Sequence, residues 1–74
     1  MKKELKLEIF LKKSRLRKEV YNQLDKPKIA TDIAKEIGKH RSSVSRVLLE
    51  MERQGFVKCL NHKDKSFRHY VRKE

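Results

Sequence analysis

Apolar residues along this chain keep two rhythms. From Ser14 to Gln54 they recur at spacings of three and four, the repeat of helices that bury one face. After Gly55 they come in two short runs, Phe56–Leu60 and Phe67–Val71, around polar, turn-prone Asn61–Ser66. That pattern predicts a hairpin with a basic tip. Leu16, Val20 and Leu24, with Tyr21 beside them, mark a first helix opened by Ser14 as N-cap and stopped at Asp25-Lys26-Pro27. Lys28-Ile29 reads as a brief strand. Thr31-Asp32 opens the next helix, with Ile33, Ala34 and Ile37 inward and Gly38 as its left-handed end. A further helix starts at His40 or Ser42 and ends at Gln54-Gly55. Val44, Val47, Leu48 and Met51 share its inner face, while Ser42, Arg46, Leu49 and Arg53 lie opposite, flanked by Ser43 and Ser45.

Residues 1–13 fit two patterns. Leu5, Leu7, Ile9 and Leu11 alternate as in a strand, yet Leu5, Ile9 and Phe10 share a helical face, and Lys, Glu and Leu favour helix. Helix is the preferred reading. The expected organisation is an N-terminal arm over 1–13 and one domain over 14–74. The fold class is mainly α with a small β-hairpin (α+β): a three-helix core plus a two-stranded wing.

Charge then narrows the function. The 74 residues carry a formal net charge of +11. A folded domain this basic needs a polyanion, and nucleic acid is the default. A membrane surface is the rival, but basic residues are spread along the chain and Trp is absent. The longest apolar run, Ile9-Phe10-Leu11, is far short of a membrane span. The basic start Met1-Lys2-Lys3-Glu4 lacks a following apolar run, so no signal peptide is expected. A single Cys59 makes no internal disulfide and fits a reducing, cytoplasmic setting.

The stretches Asp32-Ile33-Ala34-Lys35-Glu36-Ile37-Gly38, Arg41-Ser42-Ser43-Val44-Ser45-Arg46-Val47-Leu48 and Glu50-Met51-Glu52-Arg53-Gln54-Gly55-Phe56-Val57 together resemble small prokaryotic winged helix-turn-helix regulators. They are most similar to archaeal members and, more broadly, to the MarR and ArsR repressor classes. The resemblance covers roughly residues 14–72. It implies that the helix after Gly38 is a recognition helix, that the hairpin is a wing, and that such proteins act as dimers on paired half-sites. Two residues depart from the family pattern. Lys39 stands where an apolar residue usually plugs the turn; its aliphatic stem would have to substitute. Leu49 falls on the outward face, which suggests that the arm or a second subunit covers it.

The residues make a case for duplex DNA on their own. A helix entering the major groove by its N-terminus needs short side chains for close approach, and Ser42, Ser43 and Ser45 meet that need. It also needs long donors, and Arg41 and Arg46 supply them; an arginine fork pairs with a guanine edge. His62, Lys63, Lys65 and Arg68 on the wing would hold phosphates or the minor groove, with Lys28 as a further phosphate contact. The bland alternatives are a solvated helix face and an ordinary solvated loop. A homodimer would use the apolar arm, Leu5, Ile9 and Phe10, with Leu49.

Other chemistry finds little support. Cys59 and His62 have CxxH spacing, and a hairpin turning near Asp64 would bring Cys59 opposite His69. Three candidates fall short of a four-ligand zinc site, so no metal and no cofactor are expected. Phe67 and Tyr70 are expected to pack on the helices rather than stack on bases. No catalytic set or phosphate loop appears, so an enzyme is not expected. The rivals to a sequence-specific DNA-binding regulator are an RNA-binding or ribosome-associated winged helix and a protein-interaction module.

Overall fold

The computed structural model describes residues 3–64 and 67–73. Its elements run α1 (Lys3–Lys12), α2 (Arg15–Gln23), β1 (Lys28–Ile29), α3 (Ala30–Ile37), α4 (Arg41–Gln54), β2 (Val57–Cys59) and β3 (His69–Arg72). Four helices and one small antiparallel sheet make the α+β winged helix-turn-helix arrangement. Among the described residues no helix is long and apolar enough to cross a membrane.

Helix ends follow local chemistry. The Ser14 hydroxyl accepts the Arg17 backbone N–H at 3.4 Å and starts α2. Gly38 (φ 68°) closes α3, and its N–H bonds the Ala34 carbonyl. Lys39 donates to the same carbonyl at 3.0 Å. The left-handed angle is why glycine stands there, since a side chain would cost about 1–2 kcal/mol. Backbone bonds hold this turn, and Lys39 is exposed; its stem does not plug it. α3 begins at Ala30, ahead of the expected Thr31-Asp32. The reason is that Ile29 is held extended by pairing with His69, and the helix starts where the strand stops.

The sheet order is β1-β3-β2. β3 lies between the brief strand and the other wing strand, so the wing is tied to the connection between α2 and α3. The register pairs Cys59 with Tyr70 and Ile29 with His69. Cys59 and Tyr70 are buried, whereas His69 is exposed. The expectation that His69 would lie opposite Cys59 is therefore off by one residue, and one residue moves a strand side chain to the other face.

Val20, Leu24, Ile33, Val44, Leu48, Met51 and Val57 are the fully buried centre. Leu7, Phe10 and Leu11 of α1 pack against it from outside. The Phe10 ring sits 5.4 Å from that of Phe56, which sets α1 beside the end of α4. It does not reach Leu49, which remains 44% exposed. The arm therefore does not cover that residue: the α1 packing face is used on α2 and Phe56.

Two arginines staple the periphery. Arg72 donates to the Tyr21 carbonyl at 3.0 Å and lies over the Tyr21 ring, joining β3 to the end of α2. Arg17 lies 4.0 Å from the Phe10 ring centroid, donates to the Phe10 carbonyl at 3.2 Å, and meets Glu50 Oε2 at 3.0 Å. One side chain thus joins α1, α2 and α4. Arg17→Met should lower global stability by about 1–2 kcal/mol, a part-buried charged network being weaker than a buried one. Hydrogen exchange should show the α1 amides losing more protection than those of α4. Unchanged α1 protection would mean that apolar packing alone holds the helix.

Candidate nucleic-acid interface

α4 commits one face to the core, and that decides what its other face presents. Val44, Val47, Leu48 and Met51 are buried. Arg41, Ser42 and Arg46 are exposed, with Ser43 and Ser45 half-buried beside them. His40 occupies the N-cap position but makes no side-chain cap bond, and the first turn has no acidic residue. Lys39, His40 and Arg41 instead surround a helix end that carries partial positive charge. Such an end favours an anion.

The wing reaches back to this end. A cleft of about 300 Å³ opens between α4 and the hairpin, with Thr31, Arg41 and Ser45 on one side and Phe67, Arg68 and Tyr70 on the other. The structure therefore brings Arg41, Ser45 and Arg68 together, from separate parts of the chain. Arg68 Nε donates to the Asp64 carbonyl at 3.1 Å, and the guanidinium lies beside the Tyr70 phenol and favours its ionised form. Its fork is held in place before any ligand arrives.

Asn61 and Asp64 build the wing, and sequence reading treated both only as turn formers. Asn61 Nδ2 donates to the Phe67 carbonyl at 2.7 Å, and its Oδ1 accepts the His69 N–H at 2.7 Å. Asp64 Oδ1 accepts the Phe67 N–H at 2.9 Å. Asn and Asp commonly bond nearby backbone in turns, so the signal was present as residue type; the partners were not foreseeable. These bonds fix Phe67 ahead of β3. The ring is 58% exposed and lines the cleft rather than packing on the helices as expected.

Other proposed contacts lie elsewhere. Lys63 is exposed beside the turn, and Lys65 lies outside the described residues. Lys28 Nζ donates to Gln23 Oε1 at 2.9 Å and lies 3.6 Å from Asp25 Oδ1, so its ammonium serves the turn between α2 and β1. His62 Nε2 lies 3.5 Å from Glu52 Oε2. Glu52 is about 16 Å along the helix axis from Arg41, at 1.5 Å per residue. The structure does not gather Lys28 or His62 with the cleft.

Cys59 is buried, and its thiol lies 3.7 Å from Asn61 Oδ1. Among the described residues no group of three or more His, Cys, Asp or Glu side chains is arranged to hold a metal ion.

Burial raises the Tyr70 phenol above its ordinary 10.0, the Arg68 hydrogen bond opposes the rise, and the nearby acidic Glu52 and Cys59 add to it. The folded chain therefore holds this proton more tightly than the unfolded chain. Its contribution to stability is full below pH 10 and is lost as pH rises through the folded value. Urea unfolding of Tyr70→Phe should accordingly show a shallower loss of stability above pH 10 than the parent chain. Parallel pH dependences would show that Tyr70 does not titrate differently in the two states.

Comparison with known proteins adds one finding. The family model described as the IclR helix-turn-helix domain matches residues 23–59, from the end of α2 through β2. No curated protein and no solved structure matches the chain.

Proposed function

The chain belongs to the IclR helix-turn-helix domain family, a class of DNA-binding module in transcription regulation, and from that premise we propose that it is a non-enzymatic, sequence-specific regulator that reads duplex DNA with α4 and grips the backbone with its wing. The resemblance to MarR and ArsR repressors and to archaeal regulators points to the same mode of action.

In this reading Arg41 and Arg46 supply the donors to base edges or phosphates. Ser42, Ser43 and Ser45 keep that face low enough for close approach. Arg68, Lys63 and Lys65 hold phosphates, and His62 and Lys28 are the weakest members because each has an acidic neighbour of its own. The observation that carries the reading is the convergence of Arg41, Ser45 and Arg68 at an uncapped helix end. Self-association would place two such faces on paired half-sites. Leu5 and Ile9, 48% and 42% exposed on successive turns of α1, are its best surface, with exposed Leu49 as a further element. Phe10 contributes less, since its ring is engaged with Phe56 and Arg17. The unpaired thiol and the basic charge suit a reducing cytoplasm.

Fluorescence anisotropy of a labelled random-sequence duplex, titrated across salt, tests the proposal. Arg41, Arg68, Lys63 and Lys65 on phosphates, at about 0.9 each, predict a log–log salt slope of about −3 to −4, with Arg46 on a base edge. Arg46→Ala should weaken binding to a selected sequence about tenfold or more, the scale of one arginine–guanine contact. Binding that ignores salt overturns the mechanism. Preference for structured RNA over duplex at matched salt would favour the RNA-binding alternative. Binding unchanged by replacing Ser42 and Arg46 together would favour a protein-interaction module.

A further inference from the structure

The cleft between α4 and the wing has a feature that the proposed reading leaves unused: an exposed aromatic ring on a fixed backbone. Phe67 is the most exposed of the large apolar side chains described, at 58%. A lone exposed apolar residue is ordinary. This one, however, sits on a segment whose N–H and carbonyl are both bonded, to Asp64 and Asn61. It shares its cleft with the guanidinium groups of Arg41 and Arg68 and the hydroxyl groups of Thr31 and Ser45.

The shape and lining select the occupant. The cleft is at the small end of the range for ligand pockets, and polar atoms dominate its wall. Small-molecule pockets are mostly apolar and enclose their ligands. An open, cationic cleft with one apolar wall suits an extended polyanion that passes through it. Two guanidinium forks match a phosphodiester. Arg68 keeps donors for it, because a guanidinium has five, of which Nε is committed to the Asp64 carbonyl and another faces the Tyr70 hydroxyl. The apolar part of a nucleic-acid backbone is its sugar, and Phe67 faces the same space.

We propose that this cleft seats one sugar–phosphate unit of duplex DNA, with Arg41 and Arg68 on the phosphodiester and the Phe67 ring against the deoxyribose. The inference rests on the duplex-binding reading and adds Phe67 and Thr31 to its contacts. Phe67 is a positioning contact in this scheme: it fixes how deep the backbone lies, and thereby the register of α4 in the groove.

The ring and the arginines should separate in a salt titration. Phosphate contacts release counterions and set the slope; an apolar contact does not. With a 20-bp random-sequence duplex as probe, Phe67→Ser should weaken binding about fivefold to tenfold, the scale of re-exposing part of a ring, with the slope unchanged. Arg68→Gln should reduce the slope by about 0.9. Thermal melts of both variants check that the fold is intact. A second measurement does not depend on loss of affinity. The chain has no Trp, so Phe67→Trp introduces a single reporter. Its emission should be quenched as duplex saturates it and should not respond to inorganic phosphate or a nucleoside monophosphate at matched ionic strength.

If duplex binds, Arg46→Ala weakens it, and both Phe67 variants are silent, the seat is wrong and the duplex-binding reading stands. If the small anions quench the reporter as well as duplex does, the cleft is a free-anion site and the seat is again overturned. If the parent chain binds no duplex, both fall together.

Discussion

The constraint on which the rest depends is the division of α4 into two faces. Val44, Val47, Leu48 and Met51 share one core cluster: α2 supplies Val20, its C-cap Leu24 follows, α3 supplies Ile33 and Ala34, the chain after Gly55 supplies Phe56 and Val57, and the wing supplies Cys59 and Tyr70. A chain of 74 residues has little other apolar surface to bury, and small domains are marginal for that reason. The helix therefore has no freedom to rotate about its axis. Ser42, Arg46 and Leu49 are outward because the opposite positions are indispensable.

A second consequence concerns the wing. Its strands are three and four residues long, too short to stand as an isolated hairpin. They are stabilised by burying Val57, Cys59 and Tyr70 against the helices, by the added strand Lys28-Ile29, and by Arg72 on the carbonyls that end α2. The same burial that orders the wing sets Arg68, two residues before Tyr70, at the N-terminal end of α4. Core and cleft are thus built by one set of contacts, and a change that loosens Tyr70 alters the position of Arg68.

Much of this was legible in the sequence because it is local. The three-and-four spacing, the serine cap and the two left-handed glycines act within a few residues, and they delimit the helices closely. The resemblance carried by Asp32–Val57 named the right architecture, although the family that matches is IclR rather than MarR or ArsR. What escaped was non-local. Two residues, Lys28-Ile29, read as a brief strand, but nothing in them says that β3 is their partner. The hairpin register depends on side-chain bonds from Asn61 and Asp64, and without it Cys59 and His69 were set opposite each other. Phe67 was expected to pack on the helices by type, whereas its ring is exposed beside those same bonds. Lys28 and His62 were counted as cations without regard to Asp25 and Glu52 beside them.

Lys28 bears on how a charge of +11, counted with neutral histidines, should be understood. Net charge gives attraction to a polyanion at a distance, but it does not identify which cations touch it. Where an ammonium or a guanidinium has a neighbouring carboxylate, part of its field is already offset. Arg15 with Glu19, Arg17 with Glu50 of α4, and Lys28 with Asp25 are pairs of this kind, and their cations all lie on α2 or between it and α3. The acidic residues thus dilute the positive field on the α2 side. At the start of α4 the first turn has no acidic residue, and the helix end adds its own partial charge. The asymmetry turns a uniformly basic composition into a directed surface. On the proposed reading, a polyanion drawn by the whole molecule meets that end where Arg41 and Arg68 share a cleft with Ser45.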